Sequence, residues 1–133
     1  MIRLSKDIKK FSLSKEGHIR LTHDFSVKEF ACKDGSDTIL ISNNLAWYLQ
    51  QIRSHFGKPV HINSAYRTTA YNKKVATSKD SQHCKGTAAD IAVEGVSPSR
   101  VADYAESIGM GGVGRYKTFT HVDSRYWKAR WNG

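Results

Sequence analysis

The stretch at 81–93, SQHCKGTAADIAV, places the strongest constraint on how this chain folds. Its first half is polar and contains Gly86, whereas its second half runs into an apolar stretch that ends at Val93. This pattern predicts a tight turn followed by a short buried strand. Asp90 is the last polar residue before the apolar stretch, and a carboxylate at the edge of a buried strand is costly unless it is paired or bound to a metal.

The length of the chain predicts one domain, covering residues 1–133. No apolar run approaches the roughly 18 residues that span a bilayer, so we expect no membrane span. The first residues, MIRLSKDIKKFSLSKEG, lack the apolar core of an export signal, so we also expect no signal peptide. A formal net charge of +9 favours polyanionic partners such as nucleic acid, teichoic acids or acidic lipids, without selecting one of them.

Short helices and strands without a regular alternation predict an α+β fold. We expect a small domain in which a short, mostly antiparallel sheet is flanked by helices and carries the functional site. The expected helices lie in DFSVKEF, SNNLAWYLQQIRSHFG, TTAYNKKVA and SPSRVADYAESIG, and the expected strands in VHINS, DIAV, VGRY and FTHVDSRYW, the last two forming a hairpin.

A second polar cluster, TFTHVDSR, adds candidates for chemistry. On a strand, His121 and Asp123 share a face with Phe119, so an imidazole and a carboxylate project together. His83, in the polar turn before Asp90, brings a second imidazole. Two histidines and one aspartate fit a catalytic zinc site, which commonly has three protein ligands and a fourth position for water.

Five blocks of this sequence resemble the zinc D-Ala-D-Ala carboxypeptidases of the VanY type. SQHCKGTAADI matches their S-x-H-x-x-G-x-A-x-D signature, and THVD resembles the segment that supplies their last histidine ligand. NSAYRTTAYN resembles their S-G-Y-R block, while FSVKEFACKDG and LQQIRSHFGKPVHI resemble their N-terminal helix region. The resemblance covers about residues 23–127, in the expected order.

The resemblance implies a zinc metallopeptidase that hydrolyses peptide bonds in the stem peptides of bacterial peptidoglycan. It implies a D,D-carboxypeptidase or an endopeptidase of the endolysin type, acting at the cell wall and cytoplasmic until its release. We expect a monomer that does not bind nucleic acid, because no nucleic-acid-reading motif accompanies the charge. The implied zinc ligands are His83, Asp90 and His121, and the implied substrate-binding residues are Tyr66, Arg67 and Ser81, with Arg67 also catalytic.

Two departures from the family pattern bear on catalysis. Ala65 replaces the glycine of the S-G-Y-R block, and Thr118 stands where many relatives carry a glutamate three residues before the last histidine ligand. Asp123 is therefore the candidate general base, since a two-residue offset on a strand spans about 6.5 to 7 Å. Its alternative role is to orient His121 through a hydrogen bond.

The missing glutamate keeps a second function open. The same scaffold holds zinc without clear peptidase activity in the signalling domain of hedgehog proteins, so this chain could be a non-catalytic, zinc-containing domain that binds the cell wall. The C-terminal YWKARW is interpreted as a packed tail, with contact to sugar or an anionic polymer as the alternative. His61 and Cys84 are considered as further site residues, but a surface or packing role is favoured for each.

Overall fold

The computed structural model describes residues 7–76 and 81–133. This part of the chain contains four α-helices and seven strands, so the predicted α+β class is confirmed. The elements in chain order are β1 (Ile8–Ser12), α1 (Leu13–Glu16), a 3-10 helix (Val27–Phe30), β2 (Thr38–Ser42), α2 (Asn43–Phe56), β3 (Val60–Ser64), α3 (Thr69–Val75), a second 3-10 helix (Gln82–Lys85), β4 (Ala88–Val93), α4 (Pro98–Ser107), β5 (Gly112–Arg115), β6 (Thr120–Asp123) and β7 (Ala129–Asn132).

Five of the strands form one sheet in the order β3-β4-β6-β5-β7. All neighbours in it are antiparallel except β5 and β7, which are parallel. Strands β1 and β2 pair separately as an antiparallel ribbon. The expected mostly antiparallel sheet and the hairpin of β5 and β6 are thus present, but the second strand of that hairpin ends at Asp123 and β7 follows as a separate strand.

Helix α2 begins and ends where local chemistry predicts. The Ser42 hydroxyl accepts a hydrogen bond from the Leu45 amide at 3.1 Å, which caps the first turn. Gly57 has φ of 64° and ends the helix in the left-handed conformation, which glycine adopts without steric cost. Leu45, Leu49 and Ile52 are buried along one side, as their spacing predicts.

The two faces of the main sheet have different roles because side chains alternate along each strand. Ile91, Val113 and Val122 are fully buried in the apolar core. Helices α2 and α4 pack against this sheet. Asp90 and His121, one position away from these core residues, therefore project from the opposite face, which leaves them available for chemistry.

The sequence interpretation was wrong for part of the N-terminal half. DFSVKEF forms only a 3-10 turn, although Ser26 and Glu29 do form the expected capping box. The helical conformation ends at Ala31, and this single turn is long enough to bury both Val27 and Phe30. The ribbon of β1 and β2 was not predicted. Within 7–76 and 81–133, no helix is long and apolar enough to cross a membrane.

Candidate metal centre

The centre of the candidate site is one row of residues that crosses the main sheet. Strand register pairs Ser64 with Asp90, and Asp90 with His121. His121 is in turn paired with Gly114, and Gly114 with Trp131. The five strands therefore bring together five residues that lie far apart in sequence, and they fix Asp90 beside His121.

The second histidine comes from the turn that precedes β4. Ser81 begins the 3-10 helix by accepting a hydrogen bond from the His83 amide at 3.2 Å. Gly86 ends it at φ of 79°, and a Cβ there would lie only 2.5 Å from the backbone oxygen of Leu40. This tight turn returns the chain to the sheet, as the glycine predicted, and it carries His83 over Asp90.

Three side chains converge at this point. Nε2 of His83 lies 3.3 Å from Oδ1 of Asp90, and Nδ1 of His121 lies 2.9 Å from the same oxygen. One ligand atom from each residue lies within 4.8 Å of the other two. His83 is 4% exposed, His121 8% and Asp90 9%, so the group is almost enclosed but still borders a cleft.

The remaining ring nitrogens fix the tautomers of both histidines. Nδ1 of His83 donates to the carbonyl oxygen of Ala65 at 2.7 Å, because a carbonyl can only accept. Nε2 of His121 donates to Oδ2 of Asp123 at 2.8 Å. In the neutral rings, the nitrogens that carry lone pairs are therefore the two that face Asp90.

This donor set fits a divalent transition metal. Two imidazole lone pairs and a carboxylate oxygen are all acceptors, and they repel one another unless a cation lies between them. Burial alone would raise the pKa of Asp90, but the two histidines beside it lower it below its ordinary value, since either imidazole pairs with the ionised carboxylate once it is protonated. Burial would likewise lower the pKa of His121, but the carboxylates of Asp123 and Asp90 on its two sides stabilise the protonated ring and raise it. The group thus favours an ionised carboxylate with positive charge beside it.

Asp123 lies on the far side of His121, and sequence reasoning did not anticipate the partner that holds it there. Nε and Nη2 of Arg125 donate to its two oxygens at 2.8 and 2.7 Å. Burial raises the pKa of Asp123, but the bonds from His121 and Arg125 outweigh it and lower the pKa to about 2. The carboxylate is 0% exposed. Gly112 makes room for it, since a Cβ at that position would collide with both carboxylate oxygens.

A cleft of about 690 Å³ opens over the three convergent residues. Asp90 is the only carboxylate among the described residues that line it. Tyr66, an expected substrate-binding residue, packs against the apolar core and is not part of the described lining. The lining residues are Arg67, Val75, Ala76, Ser81, Gln82, His83, Lys85, Asp90, Tyr116, Phe119, His121, Arg125, Trp127 and Trp131.

Arg67 lies in the cleft next to Asp90. Its Nε donates to Ser64 at 3.1 Å, its Nη1 to Asn72 at 3.3 Å and its Nη2 to Asp90 at 3.5 Å. A guanidinium has five N–H groups, so two of them are not used by any residue that the structure describes. Ser81 also lines the cleft, and its hydroxyl oxygen accepts a hydrogen bond from the His83 amide.

The other candidates lie outside this cluster. His61 is exposed on its strand and lies 3.1 Å from Glu94. His55 stacks on the ring of Tyr104, with the ring centroids 3.8 Å apart. Cys84 is a free cysteine that is half-buried beside His83 and does not belong to the group of ligand atoms.

The α+β domain thus directs two imidazoles and one carboxylate into a cleft, a group of side chains that could hold one divalent metal ion. Sequence comparison identifies the class of protein. Residues 21–123 match the family model described as Peptidase M15, and the chain belongs to this peptidase family. The resemblance seen in the signature blocks is therefore confirmed.

Three curated relatives illustrate the match. The chain is 36% identical over 80 residues to the peptidoglycan L,D-endopeptidase MepK of Escherichia coli K12, covering 53% of this chain and 44% of that protein. It is 37% identical over 79 residues to the probable peptidoglycan L,D-endopeptidase MepK of Haemophilus influenzae, covering 52% and 42%. It is 31% identical over 93 residues to the zinc D-Ala-D-Ala carboxypeptidase of Streptomyces albus G, covering 62% and 36%. The matches thus span less than half the length of these relatives.

Proposed function

We propose that this chain is a zinc peptidase domain that hydrolyses peptide bonds in the stem peptides of bacterial peptidoglycan. The observation that carries the proposal is the preset arrangement of His83, Asp90 and His121. Each imidazole has its outer nitrogen occupied by an acceptor, and each aims its lone pair at Asp90 on the floor of a cleft. The relatives named for action on peptidoglycan or on D-Ala-D-Ala support the substrate class.

In this proposal the three convergent residues hold the metal. A zinc ion bound there supplies Lewis-acid polarisation of a carbonyl and activation of water. Nε2 of His83, Nδ1 of His121 and the carboxylate of Asp90 are the ligand atoms. The sheet fixes two of them and the capped turn fixes the third, so little reorganisation is needed on binding.

Asp123 has the role of positioning His121. Of the two roles that the sequence leaves open, its complete burial and the bidentate contact with Arg125 support this one. A carboxylate behind a ligating imidazole fixes the ring's tautomer and raises its basicity as a ligand. A general base must instead reach the reacting water directly or through one further water, and Asp123 lies behind the ring.

Arg67 is the substrate-polarising residue in this scheme. It borders both Asp90 and the cleft, and among the described residues nothing occupies two of its N–H groups, which suit a substrate oxygen. A planar, permanently charged donor suits a terminal carboxylate or the developing oxyanion of a cleaved amide. Its contact with Asp90 at 3.5 Å supports a role on a substrate oxygen close to the proposed metal centre.

The test measures zinc content and hydrolysis together, using cross-linked peptidoglycan and a stem peptide that ends in D-Ala-D-Ala. The wild type is expected to bind about one zinc per chain, consistent with one three-ligand site, and to cleave one of these substrates. His83→Ala is expected to lose both properties, whereas the control His61→Ala changes an exposed histidine and keeps both. Release of D-Ala identifies a carboxypeptidase, and solubilised cross-linked fragments identify an endopeptidase.

The non-catalytic alternative retains one supporting observation. Position 118 is a threonine, and the described lining of the cleft offers no carboxylate besides Asp90 to act as a base. If the wild type binds zinc but cleaves neither substrate, the domain is a zinc-containing cell-wall-binding module. If it binds no metal, the ligand assignment is wrong.

A further inference from the structure

The C-terminal segment forms one side of the cleft, beyond the region that matches the family model. The match ends at residue 123, whereas Arg125, Trp127 and Trp131 all line the cleft. We call these three residues the C-terminal wall. Strand β7 supplies Trp131 by adding to the sheet edge in parallel with β5. This wall is therefore a feature of the chain that the family assignment does not explain.

Trp131 is held rigidly against the metal centre. Its indole Nε1 donates to the hydroxyl of Tyr116 at 2.9 Å, and its ring centroid lies 4.9 Å from that of His121. Gly114 leaves space for it, since a Cβ there would lie 2.5 Å from two indole atoms. An immobile aromatic surface beside the metal ligands offers apolar contact area at little entropic cost.

Trp127 extends this surface to the rim of the cleft. It is 42% exposed, and the guanidinium carbon of Arg125 lies 5.4 Å from the centroid of its ring. The same carbon lies 5.4 Å from the ring of Trp131. The guanidinium is thus flanked by two indoles, which hold it in place through cation–π contact.

Arg125 keeps donors for the cleft despite its bond to Asp123. Nε and Nη2 are occupied by that carboxylate, but Nη1 makes no hydrogen bond with any other described residue. Its two N–H groups form the remaining polar edge of a residue that lines the cleft. A carboxylate is the acceptor that matches such an edge best.

The charge of the cleft also favours an anionic ligand. Arg67, Lys85 and Arg125 contribute three positive charges, while Asp90 and the buried Asp123 contribute two negative ones. A divalent metal adds two further positive charges. A neutral sugar would use the indoles but would gain little from this positive charge.

We propose that the C-terminal wall is a substrate subsite for a peptide residue that carries a carboxylate. The aliphatic part of that residue packs against Trp127 and Trp131, and its carboxylate accepts from Nη1 of Arg125. This inference rests on the proposed function, since it assumes a peptide substrate. The carboxylate can be the free C-terminus of the peptide or the side chain of an acidic residue within it, and these two sources correspond to different cleaved bonds.

The test measures binding to the metal-free protein, so it does not depend on hydrolysis. The protein is kept in chelator and titrated with four short stem peptides, in which the C-terminal carboxylate and a side-chain carboxylate are each either free or amidated. Binding is followed by calorimetry and by tryptophan fluorescence in a Trp47→Phe background, so that emission comes only from Trp127 and Trp131. We expect one of the two carboxylates to strengthen binding about tenfold over its amide, as a charge-assisted hydrogen bond does.

Trp127→Ala is the matching variant, because Trp127 is exposed and its loss leaves the sheet intact. It is expected to weaken binding of all four peptides by about tenfold, the scale of one lost aromatic contact. Trp47→Ala removes a tryptophan that is 55% exposed on α2 and is expected to leave binding unchanged. Trp131→Ala should weaken binding at least as much as Trp127→Ala.

Three results would overturn the subsite: no measurable binding by any of the peptides, equal affinity for acids and amides, or unchanged binding in Trp127→Ala. Binding of a peptide-free disaccharide that is lost in Trp127→Ala would assign the wall to sugar instead. Failure of the subsite is distinguishable from failure of the proposed function. If the zinc-loaded protein cleaves peptidoglycan but the acid and amide peptides bind equally well, the proposed function stands and the subsite is wrong. If the acid peptides bind more tightly but the zinc-loaded protein cleaves nothing, the subsite stands and the proposed function is wrong.

Discussion

Two carboxylates flank the imidazole of His121, and they lie in opposite hydrogen-bonding environments. Asp90 lies 2.9 Å from Nδ1 and Asp123 lies 2.8 Å from Nε2 of the same ring. Both come from the main sheet, and both have a pKa below the ordinary value. What distinguishes them is the set of groups around each carboxylate.

Asp123 is surrounded by donors. Nε2 of His121 and both Nε and Nη2 of Arg125 donate to it, and the backbone amide of Arg125 adds a further bond at 3.2 Å. Its hydrogen-bonding capacity is therefore satisfied within the protein, and it is 0% exposed. A buried carboxylate saturated in this way stabilises the structure around it and has nothing left to offer a metal.

Asp90 faces acceptors instead. The two ring nitrogens next to it carry lone pairs, and Arg67 approaches only to 3.5 Å. A carboxylate in this position is left short of positive charge until a cation enters. The arrangement of donors and acceptors, and not burial or pKa alone, therefore distinguishes the proposed ligand Asp90 from the supporting carboxylate of Asp123.

The largest effect is expected from Asp90→Asn. The substitution keeps the shape but removes the charge on which both histidines converge. Zinc affinity should fall by more than the roughly 10–100-fold that loss of a supporting partner costs, and hydrolysis should be lost with it. Competition with a chelator of known affinity measures the first effect. Unchanged zinc affinity in this variant would mean that Asp90 is not a ligand.

Asp123→Asn should have the next largest effect. An asparagine no longer enforces the Nε2–H tautomer of His121, so zinc affinity should fall by about 10–100-fold. Because Arg125 loses its ionic partner in a buried setting, the variant should also unfold at lower temperature. Thermal unfolding of the metal-free protein checks this second effect separately from metal binding.

The same variant decides between the two roles of Asp123. If it positions His121, turnover of the protein saturated with zinc should largely recover. If it is the general base, zinc affinity should stay near the wild-type value while turnover remains abolished at saturating zinc. Measuring turnover over a range of zinc concentrations separates these results.

The sequence predicted the group around Asp90 better than the contacts that support Asp123. Gly86 and the apolar stretch after Asp90 indicate a turn that leads into a buried strand, and that information is local. The alternation in THVD likewise places His121 and Asp123 on one face. These features depend on neighbouring residues, so they could offer His83, Asp90 and His121 as candidates, and the resemblance to the carboxypeptidase family joined the three into one site.

The contacts that support Asp123 depend on strand register, which local patterns do not contain. Gly112 lies opposite Asp123, and Gly114 lies between His121 and Trp131, only because β5 pairs with β6 and β7. From sequence alone, Arg125 reads as an ordinary surface cation two residues after an acid. The small glycines spaced two apart in GGVGRY were the available signal, since they predict close approach of something bulky on one face.

The ribbon of β1 and β2 was missed for a related reason. Strand β1, IKKFS, alternates only weakly, and its residues are half-buried or exposed. Its pairing partner lies about thirty residues along the chain, with Lys10 opposite Leu40. The neighbouring Ser42 amide donates to the carbonyl of Gly86 at 2.8 Å, so this unpredicted ribbon supports the turn that carries His83.

The smallest effects on zinc affinity are expected from substituting Arg125 and Arg67. Each arginine contacts one of the two carboxylates, so the two variants should differ as the carboxylates do. Arg125→Lys replaces a bidentate contact to a fully buried carboxylate with a single ammonium, which cannot reproduce its geometry. Arg67→Lys replaces one long contact of 3.5 Å to Asp90. Zinc affinity should therefore fall several-fold in Arg125→Lys, on the lower side of the roughly 10–100-fold range for supporting partners, and change little in Arg67→Lys. The Michaelis constant should rise in both variants, because both arginines border the cleft with N–H groups that no described residue occupies. At Arg67 this rise should come without a loss of zinc affinity, and at Arg125 together with one. Chelator competition and steady-state kinetics on both variants measure the two quantities, and equal losses of zinc affinity would show that the Asp90 side depends on its arginine as much as the Asp123 side does.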